Sequence, residues 1–320
     1  MESSEVATYQ KLRPLMFSIA YRMLSGVSEA EDIVQEAFLR YDGALAEGVE
    51  IESPKAFLAA VTTRLSIDHL RSAHVRRERY IGTWLPEPLL TATGRPLLTA
   101  GPEADDPAEY TEMADSLSMA FLVLLERLTP LERAVFLLHD IFGYEYGEVA
   151  GIVERSEDYC RQLASRARRH VTDQKPRFES SREQQNRLRD AFIRAVSGVD
   201  VNGLVTVLAS DVVVYGDGGG TRPSWPKPIF GRDRVNRLLL ALGQEIRQLQ
   251  LRVEAAEVNG QPGAIVRDCD GQLINVWALD IVDGTIAAIR SVINPGKLGH
   301  LGPLANRQRL MGQLTRGEKG

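Results

Sequence analysis

Hydrophobic side chains recur with two different spacings in two parts of this chain. Up to about residue 197, apolar side chains recur every three or four positions, a spacing that predicts amphipathic helices. From residue 211 to 293 they alternate with polar side chains, and turn dipeptides separate the alternating runs, which is typical of β-strands. The boundary falls at about 175–183, and the proline-rich stretch 84–107 and the polar stretch 173–185 interrupt the helical part. The pattern therefore predicts three compact units, two helical and one that mixes helices with strands.

The first helical unit contains two helices with recognisable start signals. Ser28 with Glu31 three residues later has the spacing of a capping box and predicts a helix over 29–41. Ser53 followed by Pro54 predicts the start of a second helix, with serine as the N-cap and proline in the first turn.

Both helices should carry a polar face. These faces hold Asp32, Gln35 and Glu36 on the first helix, and Arg64, Asp68 and Arg71 on the second, which is followed by a basic run that includes Arg76 and Arg77. Charges on a helix are usually a solvated surface, and an aspartate-bridged arginine pair is often structural. The local excess of positive charge after the second helix also suits contact with phosphates.

The stretch 103–115 is acidic and contains no basic residue. Like charges at this density repel one another and keep a segment extended. The stretch is therefore either a solvated linker or a mimic of nucleic acid that lies in a basic channel of a partner.

A helix-turn-helix pattern follows. Thr129, Pro130 and Glu132 predict a helix start, and the apolar stripe after them ends near Gly143. A short helix over 146–153, a tight turn and a second helix over 157–171 complete the pattern. The second helix should bury Cys160, Leu163, Ala164 and Ala167 and expose Arg161, Gln162, Ser165, Arg166, Arg168 and Arg169. Such a basic face suits the major groove of DNA, although an ordinary basic surface helix would look the same.

The composition excludes several kinds of site but does not indicate a function. The chain has 320 residues, 44% hydrophobic and 25% charged, and its net charge of -5 means that any nucleic-acid surface must come from local clustering. Cys160 and Cys269 are far apart in sequence and have no partner at ligand spacing, so neither a disulfide nor a metal site is expected. Neither a signal peptide nor a membrane span is recognisable, and we expect a cytoplasmic protein.

The C-terminal unit has an α+β pattern. Three amphipathic helices, a short strand at 212–215 and a four-stranded antiparallel meander over 249–293 predict a curved sheet with helices packed on it. A pocket in such a cone could be walled by Tyr215, Asp217, Asp268, Trp277 and Arg290. However, a lone strand tryptophan is more often part of a core, and isolated aspartates are often turn residues. We find no catalytic constellation, metal-ligand spacing or phosphate loop, and so expect neither catalytic residues nor a cofactor.

The helical part resembles a known family. Residues 30–38 (AEDIVQEAF) and 53–58 (SPKAFL), leading into Arg64, Asp68 and Arg71, are similar to region two of extracytoplasmic-function (ECF) sigma factors, and the helix-turn-helix is similar to their region four. The resemblance spans 9–172. It implies that Asp32, Gln35 and Glu36 bind the clamp helices of RNA polymerase and that the acidic linker threads its RNA path. It also implies that Arg64, Asp68, Arg71, Arg76 and Arg77 lie near the melted minus-ten strand, and that the exposed residues 161–169 read the minus-35 element.

The C-terminal unit resembles the SnoaL-like, nuclear-transport-factor-like (NTF2-like) cone. Three motifs narrow the resemblance to the sigma-J type with this fused domain: WLPEP at 84–88, DGGG at 217–220 and NPGKL at 294–298. The chain departs from that subgroup at Gly296, where aspartate is usual, and at Thr221, where lysine is common. The resemblance implies interdomain regulatory residues at Trp84, Pro86, Asp217, Gly218, Asn294, Pro295 and Lys297. The stiff segment 84–88 should pack against the cone or its tail.

These patterns together predict a multidomain sigma factor. The expected domains are region two over 5–82, an acidic linker over 83–114, region four over 115–175, the SnoaL-like domain over 183–298 and a flexible tail over 302–320. The expected partners are core RNA polymerase and promoter DNA, with an intramolecular contact between the C-terminal domain and the sigma core, no membrane, and room for a small ligand in the cone. Two alternatives stay open: the cone is a small-molecule enzyme, or it is an effector-binding module fused to a regulator that binds DNA alone.

Overall fold

A computed structural model describes residues 2–77, 80, 82–91, 116–172, 181–220 and 227–306. The chain forms two compact units. The helical unit comprises Met1–Arg79 and Pro96–Lys175, and the C-terminal unit comprises Tyr80–Arg95 and Pro176–Gly320. The acidic stretch 103–115 lies outside the described residues. The chain thus leaves the helical unit at residue 80 and returns to it at residue 96.

The helical unit is built in two parts. Its first part is α1 (Glu2–Leu24), α2 (Val27–Ala46) and α3 (Pro54–Arg77). Its second part is α4 (Met119–Leu125), α5 (Pro130–Phe136), a π-helical turn (Leu137–Ile141), α6 (Tyr146–Val153) and α7 (Glu157–Thr172). The predicted helices and the helix-turn-helix are therefore present.

Helix starts were predicted with mixed success. The predicted capping box at Ser28 is wrong: α2 begins at Val27, and its N-cap is Gly26, which makes no side-chain cap hydrogen bond. At α3 the prediction is confirmed, since Ser53 Oγ accepts the Ala56 N–H at 3.3 Å. At α5 the capping box predicted from Thr129 is complete.

Two buried arginines join the parts of the helical unit. Arg22 of α1 is 0% exposed and donates to Ser116 Oγ at 2.9 Å. Burial lowers the pKa of Arg22 to about 10, so the side chain is still charged at neutral pH. Arg133 of α5 is 2% exposed and donates to the Met23 carbonyl oxygen at 2.6 Å and to Glu126 at 2.9 Å. Charged hydrogen bonds therefore form part of the contact between the two halves of this unit.

The C-terminal unit contains a mixed sheet. Its helices are α8 (Arg182–Gly198), α9 (Val201–Val207), α10 (Arg232–Gln248) and α11 (Pro295–Leu298). Its strands are β1 (Leu90–Thr91), β2 (Leu208–Asp217), β3 (Ile229–Phe230), β4 (Arg252–Val258), β5 (Gln261–Arg267), β6 (Leu273–Val282) and β7 (Thr285–Val292). In the described residues the sheet has seven strands in the order β1-β4-β5-β6-β7-β2-β3.

The meander is confirmed, and the sheet is larger than predicted. Strands β4 to β7 pair antiparallel in sequence order, while β2 pairs parallel to β7. The additional strand β1 comes from the segment expected to be linker, and the Asn259 N–H donates to the Leu89 carbonyl oxygen at 2.8 Å beside it. Phe192 of α8 packs edge-on against Trp277 of β6, with their ring centres 5.9 Å apart. Trp277 is therefore a core residue, the more common role of a lone tryptophan in a strand.

The first residues of the predicted flexible tail, 302–320, are bound to the sheet. The Leu273 N–H donates to the Pro303 carbonyl oxygen at 2.8 Å, and the Ala305 N–H donates to the Leu273 carbonyl oxygen at 2.9 Å. Ala305 is buried. The prediction is therefore wrong for 302–306, because the open backbone edge at the start of β6 accepts this segment. Residues 307–320 lie outside the described part.

Candidate nucleic-acid interface and the Asp217 cluster

Helix α7 presents the basic face predicted for it. The chain turns at Glu154, which has a left-handed conformation with φ of 54°, and α7 starts after Ser156, whose Oγ accepts the Tyr159 N–H at 3.3 Å. The predicted apolar residues of α7 are buried: Cys160, Leu163, Ala164 and Ala167. The opposite side is exposed, as a helix that lies in a DNA groove requires.

Three of the predicted DNA-contacting arginines already contact other residues. Arg168 Nε donates to Asp140 at 2.6 Å, a hydrogen bond that raises the pKa of Arg168, and its terminal nitrogen donates to the Tyr146 hydroxyl at 3.1 Å. Arg161 pairs with Glu157 and lies over the Tyr146 ring at 4.5 Å. The Arg166 guanidinium lies 3.8 Å from the Glu132 carboxylate. Gln162, Ser165 and Arg169 are exposed on the same helix.

Helix α2 exposes residues predicted to bind polymerase and, beside them, an apolar residue that was not predicted. Asp32 and Gln35 are exposed, and Glu36 pairs with Arg40 at 2.9 Å. Leu39 is 59% exposed on the same face. An apolar residue four positions after Gln35 on an otherwise polar face was the signal available in the sequence.

Helix α3 places its predicted residues in different settings. Arg64 donates to the carbonyl oxygens of Ile152 at 2.8 Å and Gly151 at 2.9 Å, at the C-terminal end of α6. It also pairs with Glu154 at 3.1 Å. Arg64 is therefore bound to the helix-turn-helix. The remaining pair is exposed, with Asp68 and Arg71 3.3 Å apart, and the side chains of Arg76 and Arg77 lie outside the described residues.

In the C-terminal unit the three motifs meet at one buried carboxylate. Asp217 ends β2 and is 0% exposed. It accepts the Leu85 N–H at 2.8 Å, the Lys297 ammonium at 2.8 Å, the Gly219 N–H at 3.1 Å and the Tyr80 hydroxyl. Lys297 also donates to the Leu85 carbonyl oxygen. We call these residues the Asp217 cluster: Tyr80, Trp84, Leu85, Asp217, Gly219, Asn294 and Lys297.

Aromatic rings and an amide complete the cluster. The Lys297 ammonium lies 4.3 Å from the centre of the Trp84 ring and 4.9 Å from that of Tyr80, which are cation–π distances. Asn294 Nδ2 donates to the Tyr80 hydroxyl at 2.9 Å. Burial and the hydrogen bond to Asp217 raise the pKa of Tyr80, so its hydroxyl keeps its proton. Tyr80 was missed because it lies outside the three motifs.

The other predicted interdomain residues surround this cluster. Pro86 is buried, Gly218 directly follows Asp217, and Pro295 is the first residue of α11, whose N-cap Asn294 accepts the Gly296 N–H. Gly219 has φ of 65°, and a Cβ there would collide with the Asn294 side chain. The turn therefore requires glycine at this position.

The segment 82–91 packs along the C-terminal unit, which confirms the prediction for 84–88. Beyond the cluster, the His300 ring donates from Nε2 to the Pro88 carbonyl oxygen at 2.8 Å, and burial lowers the pKa of His300. The Leu89 N–H donates to Asn259 Oδ1 at 2.9 Å, and the Thr91 hydroxyl donates to Glu257 at 3.0 Å. The domain assignment of 83–91 to a linker is therefore corrected: these residues are bound to the C-terminal unit at several points.

In the described part of the chain, candidate pocket residues contact other groups of the same unit. Asp268 accepts hydrogen bonds from the N–H groups of Asp270 and Gln272. It is therefore a turn residue, the common role of an isolated aspartate. Arg290 pairs with Asp280 at 2.7 Å and lies over the Tyr215 ring at 4.8 Å. An open cleft of about 620 Å³ lies elsewhere, between the first turns of α8 and the β6–β7 turn. Among the described residues no group of His, Cys, Asp and Glu is placed to hold a metal ion.

In the part of the chain that the structure covers, none of the helices has the length and apolar character needed to cross a membrane.

Comparisons with known proteins agree with this organisation. The chain matches the family models for Sigma-70 region 2 over residues 8–76 and for Sigma-70, region 4 over residues 118–171. It is 37% identical over 301 residues to the ECF RNA polymerase sigma factor SigJ of Mycobacterium tuberculosis, an alignment that covers 92% of this chain and 93% of that protein. It is 33% identical over 297 residues to the protein named "Probable ECF RNA polymerase sigma factor SigI" of the same species, covering 92% and 95% of the two chains.

A solved structure extends the likeness to the fold. The crystal structure of the extracytoplasmic function sigma factor SigJ of Mycobacterium tuberculosis superposes with a TM-score of 0.70 at 34% sequence identity. The superposition covers 94% of this chain and 100% of that chain, so the C-terminal unit is included. Both the sequence and the two-unit architecture lead to the same conclusion: this chain belongs to the family of ECF RNA polymerase sigma factors.

Proposed function

We propose that this chain binds core RNA polymerase and directs promoter-specific initiation of transcription. The observation that carries the proposal is the occurrence of both sigma-70 regions, in order, in one packed helical unit. A helix-turn-helix alone would also fit a simple DNA-binding regulator. Such a regulator would leave the 8–76 region without a role.

The polymerase-binding surface is the exposed face of α2. Asp32, Gln35 and Glu36 supply polar and acidic groups, and Leu39 supplies an exposed apolar side chain on the same face. Protein–protein interfaces usually combine apolar and polar side chains in this way. This chemistry fits a basic and partly apolar partner helix.

The promoter-binding surfaces are α3 and α7. Arg64, Asp68, Arg71, Arg76 and Arg77 would lie near the melted minus-ten strand, and α7 would enter the major groove at the minus-35 element. Because the whole chain has a net charge of -5, its electrostatic attraction to DNA is limited to these local surfaces. Binding to polymerase would supply the remaining affinity.

Promoter binding would require the helical unit to open. The two promoter elements lie about 25 base pairs apart, on the order of 85 Å at about 3.4 Å per base pair of B-form DNA. In this structure Arg64 of α3 is hydrogen-bonded to the end of α6 at 2.8 Å. A unit in which these two helices touch cannot place one helix on each element, so we propose that this contact belongs to the free protein.

We further propose that the C-terminal unit regulates the helical unit in cis. Residues 82–91 belong to the stretch of chain that connects the two parts of the helical unit, and Asp217 and Lys297 hold this stretch through both backbone groups of Leu85. Restraining a connection changes the effective concentration of the parts that it joins. The Asp217 cluster would thereby set how readily the two sigma regions separate.

Transcription in vitro tests both proposals. Core RNA polymerase, this chain and a fragmented genomic library of the source bacterium should yield transcripts with defined 5′ ends that are absent without the chain. Asp32→Lys should abolish them, whereas Asp233→Lys, an equal charge change on an exposed first-turn acid of α10, should not. No chain-dependent transcripts would refute the initiation proposal.

The regulatory proposal has its own readout in the same assay. Lys297→Met should change the transcript yield of the full-length chain, because it removes one attachment of the segment that connects the two sigma regions. Lys227→Met, which alters an exposed lysine of the same unit, is the matched control. Equal yields from all three proteins would refute regulation through this cluster and leave the initiation proposal intact.

A further inference from the structure

Four residues form a single exposed stripe along α7. Asp158, Gln162, Ser165 and Arg169 follow one another at intervals of four, three and four residues, which places them on one face of a helix. All four are exposed, and they lie opposite the buried stripe that begins at Cys160. We call this row the α7 stripe, and it lies on the side of α7 that is farthest from the buried residues.

The basic residues beside the stripe are held by the protein. Arg168 is bound to Asp140 and Tyr146, and Arg161 lies on the Tyr146 ring. By contrast, within the described residues none of the four side chains of the stripe makes a hydrogen bond or an ion pair. The flanking arginines are thus engaged with other residues of the protein, whereas the side chains of the stripe are available to contact a ligand.

We infer that Asp158 reads a base pair in the minus-35 element and selects one that presents an amino group in the major groove. This inference rests on the proposed promoter binding. Residues near the N-terminus of a recognition helix reach the base edges, and Asp158 is the second residue of α7. A carboxylate only accepts hydrogen bonds, and the major-groove donors are the N4 amino group of cytosine and the N6 amino group of adenine.

An electrostatic argument supports this role over a purely structural one. A carboxylate that approaches DNA is repelled by the phosphates, so its presence on this face lowers affinity unless a base donates a hydrogen bond to it. An acid in the first turn also stabilises a helix, but Glu157 already supplies one there. A structural role would affect all promoter sequences equally, whereas base reading affects one position.

Transcription from a randomised promoter tests the inference. The upstream element of a promoter recovered with the full chain is randomised, transcribed with core polymerase, and the RNA is sequenced. The unmodified chain should prefer cytosine or adenine on one strand at one position, and Asp158→Ala should reduce that preference by about 5- to 150-fold while the other positions keep theirs. Asp158→Asn should shift the preference towards adenine, because an amide pairs with both N6 and N7 of that base.

Asp233→Ala is the matched control, since Asp233 is an exposed acid in the first turn of another helix. It should leave every base preference unchanged. The inference is overturned if Asp158→Ala retains all base preferences, or if it lowers transcription equally on all sequences. Absence of any transcript with the unmodified chain would instead overturn the proposed function together with this inference.

Discussion

Replacing Lys297 by methionine tests the physical basis of the Asp217 cluster. In the native protein the lysine and aspartate side chains are 10% and 0% exposed, and their charged atoms lie 2.8 Å apart. Methionine has a similar length and keeps contact with the Trp84 ring, but it donates no hydrogen bond. The substitution therefore removes the charge and leaves most of the packing in place.

The expected cost follows from what Asp217 would lose. Removing one partner of a buried ion pair costs about 3–5 kcal/mol, because the remaining charge is left uncompensated. Asp217 would keep the N–H groups of Leu85 and Gly219 as donors, which places the effect near the lower end of that range. We therefore expect a loss of about 3 kcal/mol in the free energy of unfolding.

Tryptophan fluorescence isolates the relevant unit. All 3 tryptophans of the chain, Trp84, Trp225 and Trp277, belong to the C-terminal unit, so urea unfolding followed by fluorescence reports on this unit alone. Protease cleavage within 82–91 provides a second readout and should become faster in the variant. Lys227→Met, at an exposed lysine, should leave both measurements within about 0.5 kcal/mol of the unmodified protein.

A double-mutant cycle makes the reasoning refutable. Combining Asp217→Asn with Lys297→Met removes both charges, so the double variant should lose clearly less stability than the sum of the two single losses. Additive losses, or a loss below about 1 kcal/mol for Lys297→Met alone, would mean that the pair is not the buried, coupled interaction described above.

Three further predictions concern other parts of the molecule. Arg133→Met should lower the free energy of unfolding of the helical unit by about 3–5 kcal/mol, because Glu126 would remain partly buried without its cation. Urea unfolding followed by circular dichroism measures this loss, and its absence would show that the contact is dispensable. Leu39→Glu should weaken binding to core polymerase about 10-fold or more in a pull-down. Val205→Glu, at another exposed apolar residue, should not weaken it. Equal binding by both variants would exclude the α2 face as the polymerase-binding surface. Burial lowers the pKa of His300 below its ordinary value of 6.5, so folding favours its neutral form and the free energy of unfolding should decline as the pH falls below 6.5. The His300→Gln variant should show a smaller decline between pH 7.5 and 5.5, and an identical decline in both proteins would contradict this assignment.

Local patterns explain why so much of the fold could be predicted from the sequence. The helix-turn-helix and the strands β4 to β7 depend on side-chain period and on turn residues only a few positions away, such as Asn259 before Gly260. Strand β1 could not be predicted in this way. Its two residues pair with Val258 and Glu257, far along the chain, and a two-residue strand has no period of its own.

The features of the candidate sites could likewise be predicted where they depend on local pattern, and not where they depend on distant residues. The exposed face of α7 follows from helix geometry, and the predicted exposed residues lie on it. The geometry of a single helix could not show that Arg168 is bound to Asp140, or that Arg64 is bound to the end of α6, because both partners are far away in sequence. Buried arginines such as Arg22 are also invisible to a pattern that assigns charged residues to the surface.

The Asp217–Lys297 ion pair holds backbone groups of Leu85 in addition to contacting the side chains of Tyr80 and Trp84, and this has a consequence for regulation. Asp217 accepts the N–H of Leu85, and Lys297 donates to the carbonyl oxygen of the same residue, so one ion pair holds both polar groups of a single peptide position. Most side-chain changes in 82–91 would leave these two bonds intact. Loss of the Lys297 charge would remove the bond to the Leu85 carbonyl oxygen, and loss of the Asp217 charge would weaken the bond from the Leu85 N–H. Asp217 and Lys297 thus form the ion-paired attachment among the several that bind this segment to the C-terminal unit. A signal that acts on this protein through the cluster would have to reach Asp217 or Lys297, by competing for one of their charges or by moving the turn that contains Gly219.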